Sequence, residues 1–238
     1  MTKFHSLLAI GCLSLWLGGG RPGHARADCL EDTMNPVAVL GLGTAWAIGS
    51  QPFTDRDVPA GFLGSWLTVH AVLDGFEGCL EGENQPGSEH TMVLDELVVG
   101  DFGLWQNPDT HLGGQVIRFD GGRVRVFRDI SPDASFFNRE SFTDGDLLLS
   151  GRIQSFLITT GVPRELDLAM QFDGSPYPGL PPGQYFQAGG ECDFECQPAS
   201  LTAPLAEAGY FARISGSIFL RPAVGTLPTT WTSLKRGF

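Results

Sequence analysis

The chain has 238 residues, 42% hydrophobic and 18% charged, with 32 glycines and 16 prolines. This composition excludes a disordered chain and argues against a helical one, because glycine and proline at this density suit strands joined by tight turns. The net charge of −12 repels nucleic acid and anionic lipid headgroups and attracts cations such as calcium, although solubility is its plainest use.

The first 27 residues read as a signal peptide. Lys3 and His5 open it, Leu7 to Leu17 is apolar, Gly18-Gly19-Gly20 and Pro22 break any helix, and Ala25-Arg26-Ala27 supplies the small-x-small cleavage pattern. Cleavage there leaves Asp28 as the first residue of an exported chain carrying 12 basic and 27 acidic residues. Ala9-Ile10-Gly11-Cys12 has the outline of a lipoprotein box, but apolar sequence continues past Cys12. A lipoprotein's polar tether would already have begun at that point. The expected setting is the periplasm, the bacterial cell envelope or the extracellular space. Val37 to Ile48 is apolar but too short to span a bilayer, so it reads as core, and no transmembrane segment is expected in the mature chain.

Strand signals then follow one another across residues 28–222, read as one domain. Phe62 to Leu73 is the first long strand, closed by Gly75 and Gly78, and Thr91 to Val99 is next. Val116 to Phe119 and Arg123 to Arg128 flank Asp120-Gly121-Gly122, which reads as the clearest hairpin in the chain. Leu147 to Thr159 is another long strand, with Gly151 marking a bulge or a close backbone approach. Glu165 to Phe172 alternates polar and apolar, and Tyr210 to Leu220 closes the domain. Pro176 to Pro182 is a loop, and Leu201 to Ala208 is a helical turn limited by Pro204. The fold class expected is all-β: an antiparallel β-sandwich or jelly roll, with a small β-barrel as the alternative. Residues 223–238 form a C-terminal tail. Its Leu227-Pro228-Thr229-Thr230-Trp231 lacks the glycine of a sortase motif, and Trp231, Leu234 and Phe238 would share one face of a short helix.

Cys29, Cys79, Cys192 and Cys196 remain after the signal. An even count in an exported chain reads as two disulfides, with Cys192–Cys196 as a local clip and Cys29–Cys79 as the long closure. Cys-x-x-x-Cys also resembles half of a zinc site, but no second pair follows it.

Arg125-Val126-Phe127-Arg128-Asp129, Pro132-Asp133-Ala134 and Phe142-Thr143-Asp144-Gly145-Asp146-Leu147-Leu148-Leu149-Ser150-Gly151 together resemble uncharacterised exported bacterial β-domain proteins. Many of these carry a PEP-CTERM sorting tail. The resemblance covers roughly a sixth of the chain and implies an envelope or extracellular setting, but no activity. The C-terminus here lacks the Pro-Glu-Pro motif and hydrophobic span of such tails.

No motif for a serine hydrolase, a zinc protease, a nucleotide-binding loop or an EF-hand is present. Asp144-Gly145-Asp146 places two carboxylates on one tight turn. They can contribute to a calcium site, which Asp129 and Asp133 would complete, and an Asx turn is the plain alternative. Glu191, Asp193 and Glu195 read as an acidic loop around the cysteine clip. Asp95 and Glu96 are adjacent, so on a regular strand they face opposite ways and cannot form an acid/base pair. Gly64-Ser65-Trp66 resembles the Gly-x-Trp of lipocalin- and avidin-type barrels, where the tryptophan plugs the base; otherwise Trp66 is core. Trp46, Trp105, Tyr177 and Tyr185 are the aromatics available for sugar stacking. The expected function is an exported, non-catalytic structural or binding module with polysaccharide or envelope components as partners. A lipocalin-like carrier of small ligands and a secreted hydrolase are the alternatives.

Overall fold

Strands account for most of the described chain because β-branched and aromatic residues alternate with polar ones between glycine-rich connections. In a computed structural model, residues 38–54, 57–78, 80–106, 113–160, 165–174 and 185–222 are described, with backbone alone for 155, 165–174, 185–191 and 221–222. The segment read as a signal peptide, Cys29, Cys79, Tyr177, the whole Pro176 to Pro182 loop and the segment read as a C-terminal tail lie outside the described residues. The strands are β1 (Ala38–Gly49), β2 (Trp66–Gly78), β3 (Glu89–Gln106), β4 (Gly113–Asp120), β5 (Arg123–Asp129), β6 (Asp146–Thr159), β7 (Glu165–Gly174), β8 (Tyr185–Cys196) and β9 (Tyr210–Pro222). One short α-helix, α1 (Ala203–Glu207), interrupts them where a helical turn was expected, and single 3-10 turns lie at Glu81–Glu83 and Arg139–Phe142. Among the described residues, no helix is long and apolar enough to cross a membrane.

The expected hairpin at Asp120-Gly121-Gly122 is instead a kink in one long strand. On one side, β3 pairs Val98 with Asp120 and then, in the same register, Asp95 with Arg123. On the other side, β6 pairs Ser155 with Asp120 and Arg152 with Arg123, again without a shift. β4 and β5 therefore run end to end between the same two neighbours. Gly121 and Gly122 have φ of 69° and 131°, backbone angles that serve a kink as readily as a tight turn. Directly across the ladder, β3 bulges at Asp95–Glu96, with Glu96 at φ 56°.

All pairings are antiparallel, as expected for the all-β class. Taken in order they run β1–β2, β2–β3, β3 to β4 and β5, these to β6, then β6–β7, β7–β8, β8–β9, and finally β9 back to β1. Each strand lies beside its neighbours in sequence, and the first pairs with the last. This closed up-and-down ladder is the pattern of the barrel alternative. With β4 and β5 as one, the ring has eight strands, a number whose interior side chains can just fill.

Alternation sorts the side chains. Leu67, Val69, Ala71 and Leu73 on β2 point inward, as do Met92, Leu94 and Leu97 on β3 and Ile117 and Phe119 on β4. The β1–β2 connection closes one end by inserting Phe53 and Phe62. Phe53 stacks on Phe194 at 5.7 Å and meets Phe62 and Phe211 edge-on at 5.3 and 5.1 Å. Phenylalanines thus fill the place expected for a plugging tryptophan. Trp66 points out of the barrel with 45% of its surface exposed, so it is neither plug nor core.

A second apolar cluster lies outside the ring. Trp46, Ile48 and Tyr210 face outward from β1 and β9 and are buried under Phe136, Leu201, Leu205 and Ala208. These cover residues come from the β5–β6 connection and from the α1 region. Arg139 ties the two covers together by donating to the Ala208 carbonyl at 2.5 Å.

The segment read as an acidic loop is the end of strand β8. Cys192 and Phe194 are buried, while Asp193 is exposed and Glu195 half-buried, as alternation requires. Cys192 and Cys196 lie on this unbroken strand, opposite Gly216 and Ala212. Four extended residues span about 13 Å, roughly twice what a disulfide bridges. The two cysteines are not joined, and the local clip is excluded.

Candidate functional site

The acidic candidates occupy the base of the β5–β6 connection. At the end of β5, the Asp129 carboxylate accepts the Ser131 N–H at 2.7 Å and turns the chain out of the sheet. The connection folds over the outer face of β2 and β3, where the Thr91 hydroxyl donates to the Phe142 carbonyl at 2.8 Å. The chain re-enters the sheet through Asp144 and Gly145. A Cβ on Gly145 would lie 2.4 Å from the Arg128 carbonyl oxygen. Glycine is thus required there by the close approach of two backbones, and its φ is not in the left-handed range.

That approach brings Asp144 against Asp129, and Asp133 joins them from the loop. One carboxylate oxygen from each lies within 4.8 Å of the others; Asp129 is half-buried and the other two are exposed. Asp146 stands apart, with its carboxylate 3.4 Å from Arg128, whose guanidinium also donates to Glu83 at 3.1 Å. Of the two aspartates singled out by spacing, the fold places Asp144 in the group and Asp146 beside a cation. Three hard oxygens can supply part of a calcium shell of six to eight, with water or carbonyls completing it.

The remaining candidates do not converge. Asp95 pairs with Arg125. Glu96 lies 3.6 Å from Arg123, brought there by the bulge that breaks the regular alternation. Trp46 is buried under the outer cluster and cannot stack on a sugar, and the Trp105 indole donates to the Thr160 carbonyl at 3.2 Å. A cleft of about 440 Å³ lies beside the β2–β3 connection, with Asp74, Glu89 and His90 among its lining residues. Glu89 is engaged there in accepting the Ala134 N–H at 2.9 Å.

Two features of the fold have no signal in the sequence. One is His70, which points outward from β2 yet is buried, because its cover comes from Phe142 and Tyr210, far away in the sequence. Its Nδ1 lies 3.3 Å from the Tyr210 hydroxyl, and its ring packs on Phe142 at 5.1 Å. Burial, reinforced by the nearby positive charges of Arg139 and Arg125, lowers its pKa to about 4. The other is the barrel rim. β2 stops pairing with β3 at Trp66–Val98, so beyond Val99 no described strand flanks that side of β3. Leu63, Trp66, Val98, Phe102 and Leu104 are exposed around this rim, Leu104 at 86%. Trp66 and Val98 lie on the outer face, and Phe102 and Leu104 on the side of inward-pointing Ile117 and Gln115, where Phe102 meets Phe62 edge-on at 5.8 Å.

No family model matches the chain, no curated protein matches it, and no solved structure matches its fold.

Proposed function

We propose that the chain is an exported, non-catalytic β-module that works through the exposed rim of its barrel in the cell envelope or outside the cell. The observation that carries this reading is the rim, where an open strand edge and exposed apolar side chains coincide. Exposed apolar groups in one place are the usual mark of an interaction surface. The barrel interior favours the same reading over a lipocalin-like carrier, since Phe119, Phe156 and Phe194 and the Phe53–Phe62 plug occupy it. Export rests on the leader sequence and on the resemblance to exported bacterial β-domain proteins; polysaccharide or another envelope component is the partner class these imply.

An environment-sensitive apolar dye, titrated into about 1 µM protein, separates surface from interior. The expected result is weak binding that disappears when Trp66 and Leu104 are both replaced by serine. Tight one-to-one binding that survives those changes, and is lost when Ile158→Trp fills the interior, would overturn the reading in favour of a ligand carrier.

Calcium is proposed at Asp129, Asp133 and Asp144. A ligand that binds the folded state alone raises stability by about 2.7 kcal/mol at a hundred times its dissociation constant. The melting temperature is expected to rise with calcium relative to chelator in the parent, but not in Asp144→Asn. Equal melting of the parent with calcium and with chelator rejects the site and leaves an Asx-type turn.

A further inference from the structure

We infer that the open edge of β3, from Asp101 to Trp105, pairs antiparallel with the same edge of a second copy of this chain, about a two-fold axis at Gly103. The inference rests on reading the rim as an interaction surface and names its partner.

Three observations converge. First, β4 occupies one side of this stretch, pairing Asp101 with Arg118 through Trp105 with Gly114. Among the described residues no strand lies on the other side, so the main-chain donors and acceptors there are unclaimed by any described strand and can pair with a further one. Second, the side chains are self-complementary. A two-fold at Gly103 sets Phe102 opposite Leu104 of the copy, and Leu104 opposite Phe102. Both are exposed, and both project on the face of the ladder shared by inward-pointing Ile117 and Gln115. Apolar pairs directly opposite one another are the stabilising unit of an antiparallel ladder. On the other face Gly103 meets Gly103, where a Cβ would find open space.

Third, the charge pattern permits this register. Asp101 is the one charged residue of the stretch, and the two-fold sets it opposite Trp105 rather than opposite itself. The two Asp101 side chains then lie four residues apart along the ladder, about 13 Å. That exceeds the screening length of about 8 Å at physiological ionic strength. A polysaccharide can stack on the apolar side chains but cannot continue the regular ladder of the open main-chain edge. An isologous pair uses both and closes without leaving a further edge, so it stops at two copies.

The interface is small and both copies are acidic, so association is weak and strengthens with salt. Sedimentation velocity at about 1 and about 500 µM protein, in low and high salt, reads it directly. The expected result is a doubling of mass at the higher concentration, more complete in high salt, and lost in Leu104→Lys. Register is read by oxidative crosslinking: Gly103→Cys should give a covalent dimer, while the parent and Asp101→Cys should not. A parent that stays monomeric at 500 µM overturns the inference, as does a dimer that survives Leu104→Lys or crosslinks equally through position 101. If the dye titration reports the rim but the chain is monomeric, the surface reading stands and the second copy is rejected. If the dye enters the interior, the surface reading itself fails.

Discussion

His70 shows how a buried neutral imidazole couples stability to pH. Its pKa falls from an ordinary 6.5 to about 4 in the folded chain, because burial and the Arg139 and Arg125 charges disfavour the imidazolium. Between those values the unfolded chain binds the extra proton, so stability is full above about pH 6.5 and falls as pH drops toward 4. The loss at the lower limit is about 3 kcal/mol for a shift of this size. His90 shifts in the same direction, chiefly by burial. Replacing His70 with glutamine removes the titration while keeping an acceptor for Tyr210. Melting curves at pH 7 and pH 5 should therefore differ less for His70→Gln than for the parent, and an unchanged difference would contradict the account. Cys192 is the thiol counterpart. It is buried, donates to the Ser217 carbonyl at 3.4 Å, and has its pKa pushed up to about 11, mainly by burial. Thiolate is the reactive form, so alkylation of Cys192 at pH 8 should require unfolding. Labelling of Cys192 itself in the native chain, read by peptide mapping, at the rate of an open thiol would show that β8 does not face this residue inward.

At the scale of elements, what was legible and what was not follows from how far apart the determining residues lie. Alternation within a segment announced β2, β3, β6, β7 and β9, because a strand with one wet face writes its period into its own residues. The same alternation runs through Glu191-Cys192-Asp193-Phe194-Glu195-Cys196, but two cysteines four apart suggested a clip, and the strand was missed. Gly121-Gly122 shows the opposite limit. Two glycines signal positive φ, but whether the chain then folds back or runs on is decided by β3 and β6, distant in sequence. The consequence is testable. A Cβ on Gly122 would lie 2.6 Å from Leu97 Cδ2 and 3.1 Å from the Asp95 carbonyl, contacts made by a neighbouring strand. Gly122→Ala should cost at least about 2 kcal/mol in denaturant unfolding, combining the left-handed penalty with overpacking. In a free hairpin tip the clash would vanish and only the positive-φ penalty would remain, so a cost of no more than about 1 kcal/mol would point there. The candidate site was half legible for the same reason. Asp129, Asp133 and Asp144 are close in sequence, but Asp146 was lost to Arg128, whose position is set by pairing between β5 and β6.

At the scale of the molecule, the ring of pairings accounts for the placement of everything else. A ladder in which each strand pairs with its sequence neighbours needs one long-range seam, β1 with β9, to remove its edges. Closure fills the interior with the apolar residues of alternate positions and pushes the connections outward, where two of them bury Trp46, His70 and Tyr210. It also leaves β3 and β4 projecting past the end of β2, and the rim on which the functional reading rests exists only because of that overhang. The seam and the kinked strand are both visible in a single nuclear Overhauser spectrum of the folded chain. The account predicts cross-strand backbone contacts from Ala45 to Ile214 and from Leu40 to Ile218, which close the ring, together with contacts from Arg123 to both Asp95 and Arg152. Contacts between Phe119 and Val124 in place of those from Arg123, or the absence of any from β1 to β9, would show a hairpin in an open sheet and contradict it.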